Sequence, residues 1–277
     1  MQLGYNTNGL PYHDIVQAIE LLAEIGYRSV AITIDQHVMN PYRDPVREEV
    51  NRVRECLDRL EMRSVIETGA RYLLDPRIKH EPTLVTAVDS ARTQRIDFLR
   101  MSIDLAVELG SDCVSLWSGI LRDQVSEEVA FDRLTESLSR VAAYAEQQGV
   151  ILGFEPEPGM FIDTMDRFDE LTRRVDAPSL QLTLDLGHLH CQGEVPIDEQ
   201  IRRWAPRIVN VHIEDMCRGI HEHLMFGDGE MEFPPILKAL REIEFSGGVH
   251  VELSRHGHVG PVVADQAFYF LHSMMPS

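Results

Sequence analysis

The chain has 277 residues, 44% hydrophobic and 26% charged, which fits a globular protein with room for a sizeable core and argues against a disordered or fibrous chain. Its 45 acidic residues outnumber 26 basic ones for a formal charge of -19, a surface that repels phosphate backbones and anionic membranes, so nucleic acid and membrane are excluded as partners. No apolar run approaches the roughly 20 residues that span a bilayer.

In chain order, short strand-like runs alternate with longer helical ones. Residues 2–6 (QLGYN) read as the first strand, and 13–25 as a helix with Ile15, Val16, Ile19, Leu22 and Ala23 on one face, stopped by Gly26. The β-branched run 29–34 is the second strand, 45–60 the second helix and 63–67 the third strand. The segment from Thr68 to about Ser90 breaks the rhythm; loops this long inside compact domains often cover binding sites. A helix over 91–109, a strand over 113–117, a helix over 126–148 capped by Ser126 and a strand over 150–155 follow. The remaining units are helix 164–175, strand 180–185, helix 196–204, strand 208–212, helix 234–243, strand 248–252 and helix 262–274.

Eight strands and eight helices in strict alternation, with apolar strands suited to burial on both faces, predict a single-domain (β/α)₈ barrel over residues 1–277. An open doubly wound sheet would need a glycine-rich phosphate fingerprint after its first strand, and Gly4 and Gly9 do not make one. Cys56, Cys113, Cys191 and Cys217 show no C-x-x-C spacing and no cationic apolar leader is seen, so a cytoplasmic protein with reduced thiols is expected. Cys191 is read as a packed thiol close to the site described next.

Barrel active sites lie at the C-terminal ends of the strands. Four such ends carry metal-type ligands: Glu155 in GFEPEPG, Asp185 in LDLGH, His212 in NVHIED and Glu252 in HVELSRH. Gly187 is read as a sharp turn after Asp185, followed at once by His188 and His190. Three carboxylates and one imidazole converging above the barrel suit an octahedral divalent ion, Mn²⁺ first, with Mg²⁺, Co²⁺ or Zn²⁺ as alternatives. Glu157 competes with Glu155, which is preferred because it directly ends the apolar run; Glu214 and Asp215 lie further into their loop. Trp117 either stacks on a sugar face or fills the barrel mouth. Glu67 is placed to bind a hydroxyl, and Arg255, with His256 and His258, a phosphate or carboxylate or only solvent. No glycine-rich cradle is visible, which favours a non-phosphorylated substrate.

With these residues in view, the chain resembles the divalent-metal-dependent sugar isomerases and epimerases of the xylose-isomerase-like TIM-barrel superfamily. The resemblance runs over nearly the whole chain and is most specific at FEPEPG, LDLGH, VHIED, GDGEMEF and VEL. It implies Glu155, Asp185, His212 and Glu252 as metal ligands, Glu155 and Glu252 as the acid/base pair, and His188 as a substrate contact. The implied reaction is proton abstraction beside the carbonyl of a sugar or polyol ketone, through a metal-stabilised enediolate. A lyase or dehydratase acting on a keto-sugar, keto-glycoside or inosose would use the same ligands. The superfamily's endonuclease IV branch holds extra zinc near the positions of His188, His221 and His223, so these three are second-metal candidates or contacts to sugar hydroxyls. That branch's further zinc-binding histidines have no counterparts at Glu67-Thr68-Gly69 or Trp117-Ser118-Gly119, which makes a DNA hydrolase a poor fit. A non-catalytic sugar-binding barrel and a homo-oligomer both stay open.

Overall fold

The computed structural model describes residues 1–43 and 46–275; Pro45, the expected start of the second helix, lies outside them. The first strand, β1 (Gln2–Asn6), is buried along almost its whole length, and Asp14 then starts α1 (Ile15–Ile25) by accepting the Val16 and Gln17 N–H groups. β2 (Ser29–Thr33), α2 (Val46–Leu60), β3 (Arg63–Glu67), α3 (Asp89–Leu109) and β4 (Val114–Leu116) repeat the unit. Ser126 caps α4 (Glu127–Gln148), and Gly149 ends it in the left-handed conformation that a residue without Cβ adopts freely. β5 (Leu152–Phe154), α5 (Met165–Arg174) and β6 (Leu180–Asp185) follow. With β7 (Ile208–Ile213) and β10 (Gly248–Val251), all neighbouring barrel strands pair in parallel and close in the order β1-β10-β7-β6-β5-β4-β3-β2. The eight-stranded barrel expected from the sequence is therefore the fold.

The alternation is less strict than the sequence pattern predicts. An additional helix, α6 (Leu186–Gln192), starts directly after β6, before α7 (Ile197–Trp204) and β7 (Ile208–Ile213). A hairpin of β8 (Asp215–Cys217) and β9 (Ile220–Leu224) is inserted before α8 (Phe233–Glu242), β10 (Gly248–Val251) and α9 (Gly260–Ser273). Nine α-helices result among the described residues. Gly187 is correspondingly no sharp turn: it lies in the first turn of α6, where an added Cβ would meet Glu214 Oε1 at 1.9 Å. Among the described residues no helix is long and apolar enough to cross a membrane.

The barrel interior carries one imidazole where apolar side chains usually stack in layers. His250 of β10 is fully buried, and glycines of β1 and β10 make room for it. A Cβ on Gly4 or on Gly248 would approach the ring to 2.3 Å. Burial, with the positive charges of His212 and Arg63 adding to it, pushes His250 down to about 3.

Two outcomes follow. Gly248→Ala should lower stability by about 1–3 kcal/mol through overpacking, read as a shifted urea midpoint. His250 should stay neutral in the fold, with imidazole resonances flat between pH 7.5 and 4.5, whereas an unfolded histidine titrates near about 6.5. Unfolding then takes up a proton over that range, so the stability linked to His250 is complete above about pH 6.5 and drains as pH falls toward 3. A midpoint near 6.5 in the folded protein would contradict this.

Candidate metal centre

The strand register decides which side chains reach the barrel mouth. β5, β6, β7 and β10 are consecutive around the barrel, Asp185 pairs with His212, and Glu155 and Glu252 each follow the last residue of their strand. One ligand atom from each of Glu155, Asp185, His212 and Glu252 lies within 4.8 Å of the others. His212 Nδ1 stands 3.1 Å from Glu155 Oε1, 3.1 Å from Glu252 Oε2 and 3.7 Å from Asp185 Oδ2.

Three of the four members are hydrogen-bonded from outside the cluster. Asp185 Oδ1 accepts the His188 N–H at 2.7 Å, the bond that caps α6. Asn8 Nδ2 donates to Glu252 Oε1 at 2.7 Å, and His212 Nε2 lies 2.9 Å from Glu67 Oε1. Asp185 Oδ2, by contrast, is buried without a hydrogen-bond partner. A buried carboxylate oxygen left unpaired is costly unless a cation takes it. The donor set, three carboxylates and an imidazole, fits a divalent ion.

The electrostatics are those of crowded carboxylates in a dry site. Burial pushes Glu155 up to about 8; His212 opposes the rise, and Asp185 and Glu252 reinforce it. Burial would also raise Asp185, but the imidazoles of His188, His212 and His223 and the His188 N–H hold it down at about 2. Glu252 is likewise lowered against burial, by His223 and His212 with Asn8 adding its bond. Burial works against a charged His212, yet Glu67 and Glu155 lift it well above the usual imidazole range.

A second cluster sits beside the first. One nitrogen each from His188, His221 and His223 lies within 4.8 Å of the others, with His221 and His223 supplied by β9. His188 Nδ1 donates to the Pro156 carbonyl at 3.2 Å, which leaves Nε2 as a lone pair facing His221 Nε2 at 3.0 Å. Burial pushes His188 down to about 3.

All three residues of the second cluster, and Glu155, His212 and Glu252 of the first, line a cavity of about 570 Å³, with Asp185 buried behind them. Its wall includes Arg71, Lys79 and His80 from the long segment after β3. Trp117 also lines it; Arg95 lies 4.5 Å from the indole centroid and His80 meets the ring edge-to-face at 5.2 Å, so part of the ring is already covered. Glu67 faces the cavity, but its Oε1 is committed to His212 and Asn210. Arg255 is at the rim, paired with Glu222 at 2.8 Å; His256 and His258 are not among the lining residues.

Sequence reasoning missed Asn8 and set Glu214 and Asp215 aside as lying further into their loop. Asn8 reaches Glu252 from the end of the first strand, and extending the strand-end rule to that strand would have found it. Glu214 is fully buried with both carboxyl oxygens unpartnered, and burial, with Asp185 and Glu252 adding to it, pushes it well above the carboxylate range. Asp215 is a structural clamp, accepting the N–H groups of Met216, Gly227, Gly229 and Met231.

The sequence model of the family described as xylose isomerase-like TIM barrel matches residues 19–273. Among similar proteins, the inosose dehydratase of Clostridium beijerinckii is 29% identical over 136 residues, 43% of this chain and 45% of that enzyme. The matched stretch thus spans less than half of that enzyme's length. The crystal structure of 3-keto-D-glucoside 4-epimerase from E. coli superposes with a TM-score of 0.80 at 14% identity, covering 99% of each chain. That of D-psicose 3-epimerase with D-tagatose from Clostridium cellulolyticum H10 gives 0.78 at 18%, covering 100% of each. At these identities the two structures speak for the fold.

Excess Mn²⁺ should raise the thermal midpoint of chelator-treated protein, by about 2.7 kcal/mol of stabilisation at 100-fold over Kd. Asp185→Asn should abolish most of that gain in a thermal-shift titration; an equal gain in the variant would remove Asp185 from the site.

Proposed function

This chain belongs to the xylose isomerase-like TIM-barrel family, and we propose that it is a divalent-metal-dependent isomerase or epimerase of a sugar or related polyol ketone. The observation that carries this reading is the convergence of Glu155, Asp185, His212 and Glu252 on one point at the floor of a cavity large enough for a monosaccharide. Mn²⁺ suits this oxygen-rich set best, ahead of Mg²⁺, Co²⁺ and Zn²⁺. When bound, such an ion supplies charge stabilisation for the substrate oxygens as the proton leaves the carbon beside the carbonyl.

The protein's own groups do the proton handling. Glu155 and Glu252 enter from β5 and β10, strands with β6 and β7 between them, so the two carboxyls flank a bound substrate from different walls. One takes the proton and the other returns it to the opposite face, which inverts the carbon; return to the neighbouring carbon isomerises instead. Asn8 orients Glu252 by its bond to Oε1 and leaves Oε2 for chemistry. His188, His221 and His223 bind substrate hydroxyls, with a second divalent ion as the alternative occupant, since the His188 and His221 Nε2 atoms already face one another. Trp117, Glu67 and Arg255 complete the substrate wall at the cavity lining. Residues 1–277 act as one unit in a cytoplasmic setting, which the four free thiols Cys56, Cys113, Cys191 and Cys217 favour.

A second reading, a dehydratase or lyase on an inosose, keto-sugar or keto-glycoside, is favoured by one specific feature besides the inosose dehydratase likeness. Elimination needs an acid for the departing oxygen. Glu157 lines the cavity, and loss of solvation, with Glu155 and Glu252 nearby, pushes its carboxyl well above the usual range.

Solvent-deuterium incorporation into a panel of ketoses, inososes and 3-keto-glycosides in Mn²⁺ separates these outcomes: exchange with a new epimer or isomer supports the first reading, loss of water or of an aglycone the second. Glu155→Gln and Glu252→Gln should each slow exchange by about 10²–10⁴-fold. Unchanged exchange in both variants would refute the acid/base pair.

A further inference from the structure

Beneath the four-residue cluster, polar side chains from four strands form a connected column inside the barrel. Ser29 Oγ lies 2.9 Å from His250 Nε2, and His250 Nδ1 lies 2.8 Å from Asn210 Oδ1. Asn210 Nδ2 donates to Glu67 Oε1 at 3.2 Å and to Thr183 Oγ1 at 3.4 Å. Glu67 Oε1 is also 2.9 Å from His212 Nε2. Ser29, His250 and Asn210 are fully buried, so water offers none of these three another partner.

Hydrogen-bond chemistry leaves one consistent placement of the protons. A carboxylate only accepts, so the end of the Asn210 amide that faces Glu67 is the NH₂ group. The other end, Oδ1, then accepts from His250, whose proton sits on Nδ1. His250 Nε2 is left as a lone pair and accepts from the Ser29 hydroxyl. At the far end Glu67 requires a donor from His212, so His212 carries its proton on Nε2. The 3.2 Å approach of Asn210 Nδ2 to His212 Nε2 is two donors sharing one carboxylate oxygen. The reverse order would turn Asn210 Oδ1 toward the Glu67 carboxylate, acceptor against acceptor in a dry interior, which is costly.

Without an ion the charged ring also offers a proton on Nδ1 to Glu155 and Glu252, each 3.1 Å away; in the neutral ring that a cation would require, the lone pair falls on this Nδ1. We propose that Ser29, His250, Asn210 and Glu67 are positioning residues, a buried relay that fixes His212 as the Nε2–H tautomer and aims its Nδ1 at the cation. The proposal rests on the reading of the four-residue cluster as a metal site. The space that Gly4 and Gly248 leave around His250 suits a ring held in one orientation. Outer partners of a ligating imidazole set its tautomer and its basicity, and losing one commonly costs about 10–100-fold in metal affinity.

The test is Mn²⁺ affinity by titration calorimetry in wild type, Asp185→Asn, the isosteric Glu67→Gln and the minimal truncation Ser29→Ala. Glu67→Gln should weaken binding by about tenfold or more, and Ser29→Ala should weaken it in the same direction by less. In ¹⁵N-histidine spectra of the Mg²⁺-loaded protein, His212 should show a protonated Nε2 and a bare Nδ1, and Ser29→Ala should move the His250 and His212 signals together. A change in packing alone would not move those two signals as a pair. If wild type binds and Asp185→Asn does not, but Glu67→Gln and Ser29→Ala both bind as wild type, the relay is overturned while the metal site stands. If wild type takes up no Mn²⁺, the metal reading fails and the relay with it. Should Glu67→Gln not fold, a proton on His212 Nδ1 in loaded wild type overturns the relay by itself.

Discussion

Three carboxylates packed around one imidazole in a nearly dry space are the constraint on which the mouth of this barrel turns. Glu155, Asp185 and Glu252 repel one another, and the low dielectric of the interior makes the repulsion strong. His212, the His188 N–H and Asn8 offset part of it. The asymmetry that remains is visible in the titration directions: Glu155 is driven up while Asp185 is held down. A divalent cation held there would relieve the conflict, since it would interact favourably with all three carboxylates at once.

The barrel holds these groups together against that repulsion. Consecutive strands β5, β6, β7 and β10 fix the spacing, and the parallel register brings Asp185 and His212 level. Elements outside the regular alternation supply the rest. α6 starts at Asp185 and presents His188, and the β8–β9 hairpin carries His221 and His223 over the cluster. Asp215 ties the following segment down through four backbone N–H groups. Rigid strands thus bear the inner cluster, while a hairpin and the segment after β3 form the walls. That division sets the cluster on rigid strands and the cavity walls on loops, the part of a fold that varies most freely.

The interior below the site is itself specialised. A barrel filled only with branched aliphatic side chains would give His212 no partner on its inward side. Here Glu67, Asn210, His250 and Ser29 replace part of the apolar filling, and glycines on two strands make the space. Burying so many polar groups is tolerable because each finds a partner. Unpaired buried oxygens are found instead on Asp185, within the four-residue cluster, and on Glu214, among others.

By itself the sequence determined the eight strands, their parallel closure and the placement of Glu155, Asp185, His212 and Glu252 at strand ends, because apolar runs and the residues that terminate them are local properties of the chain. It located Gly187 but not its reason, since the contact that requires glycine there is with Glu214, 27 positions later. It missed α6 and the hairpin, short segments without strong periodicity that pack against one another, with α6 also resting on β7. It picked out Glu67 at its strand end but gave no sign that the fold brings that carboxylate to His212, 145 residues away. Which oxygen is orphaned, which nitrogen of an imidazole points inward and which carboxyl stays protonated were decided only by tertiary structure. Those properties depend on distances between groups remote in the chain and on the removal of water, and neither is written in local pattern.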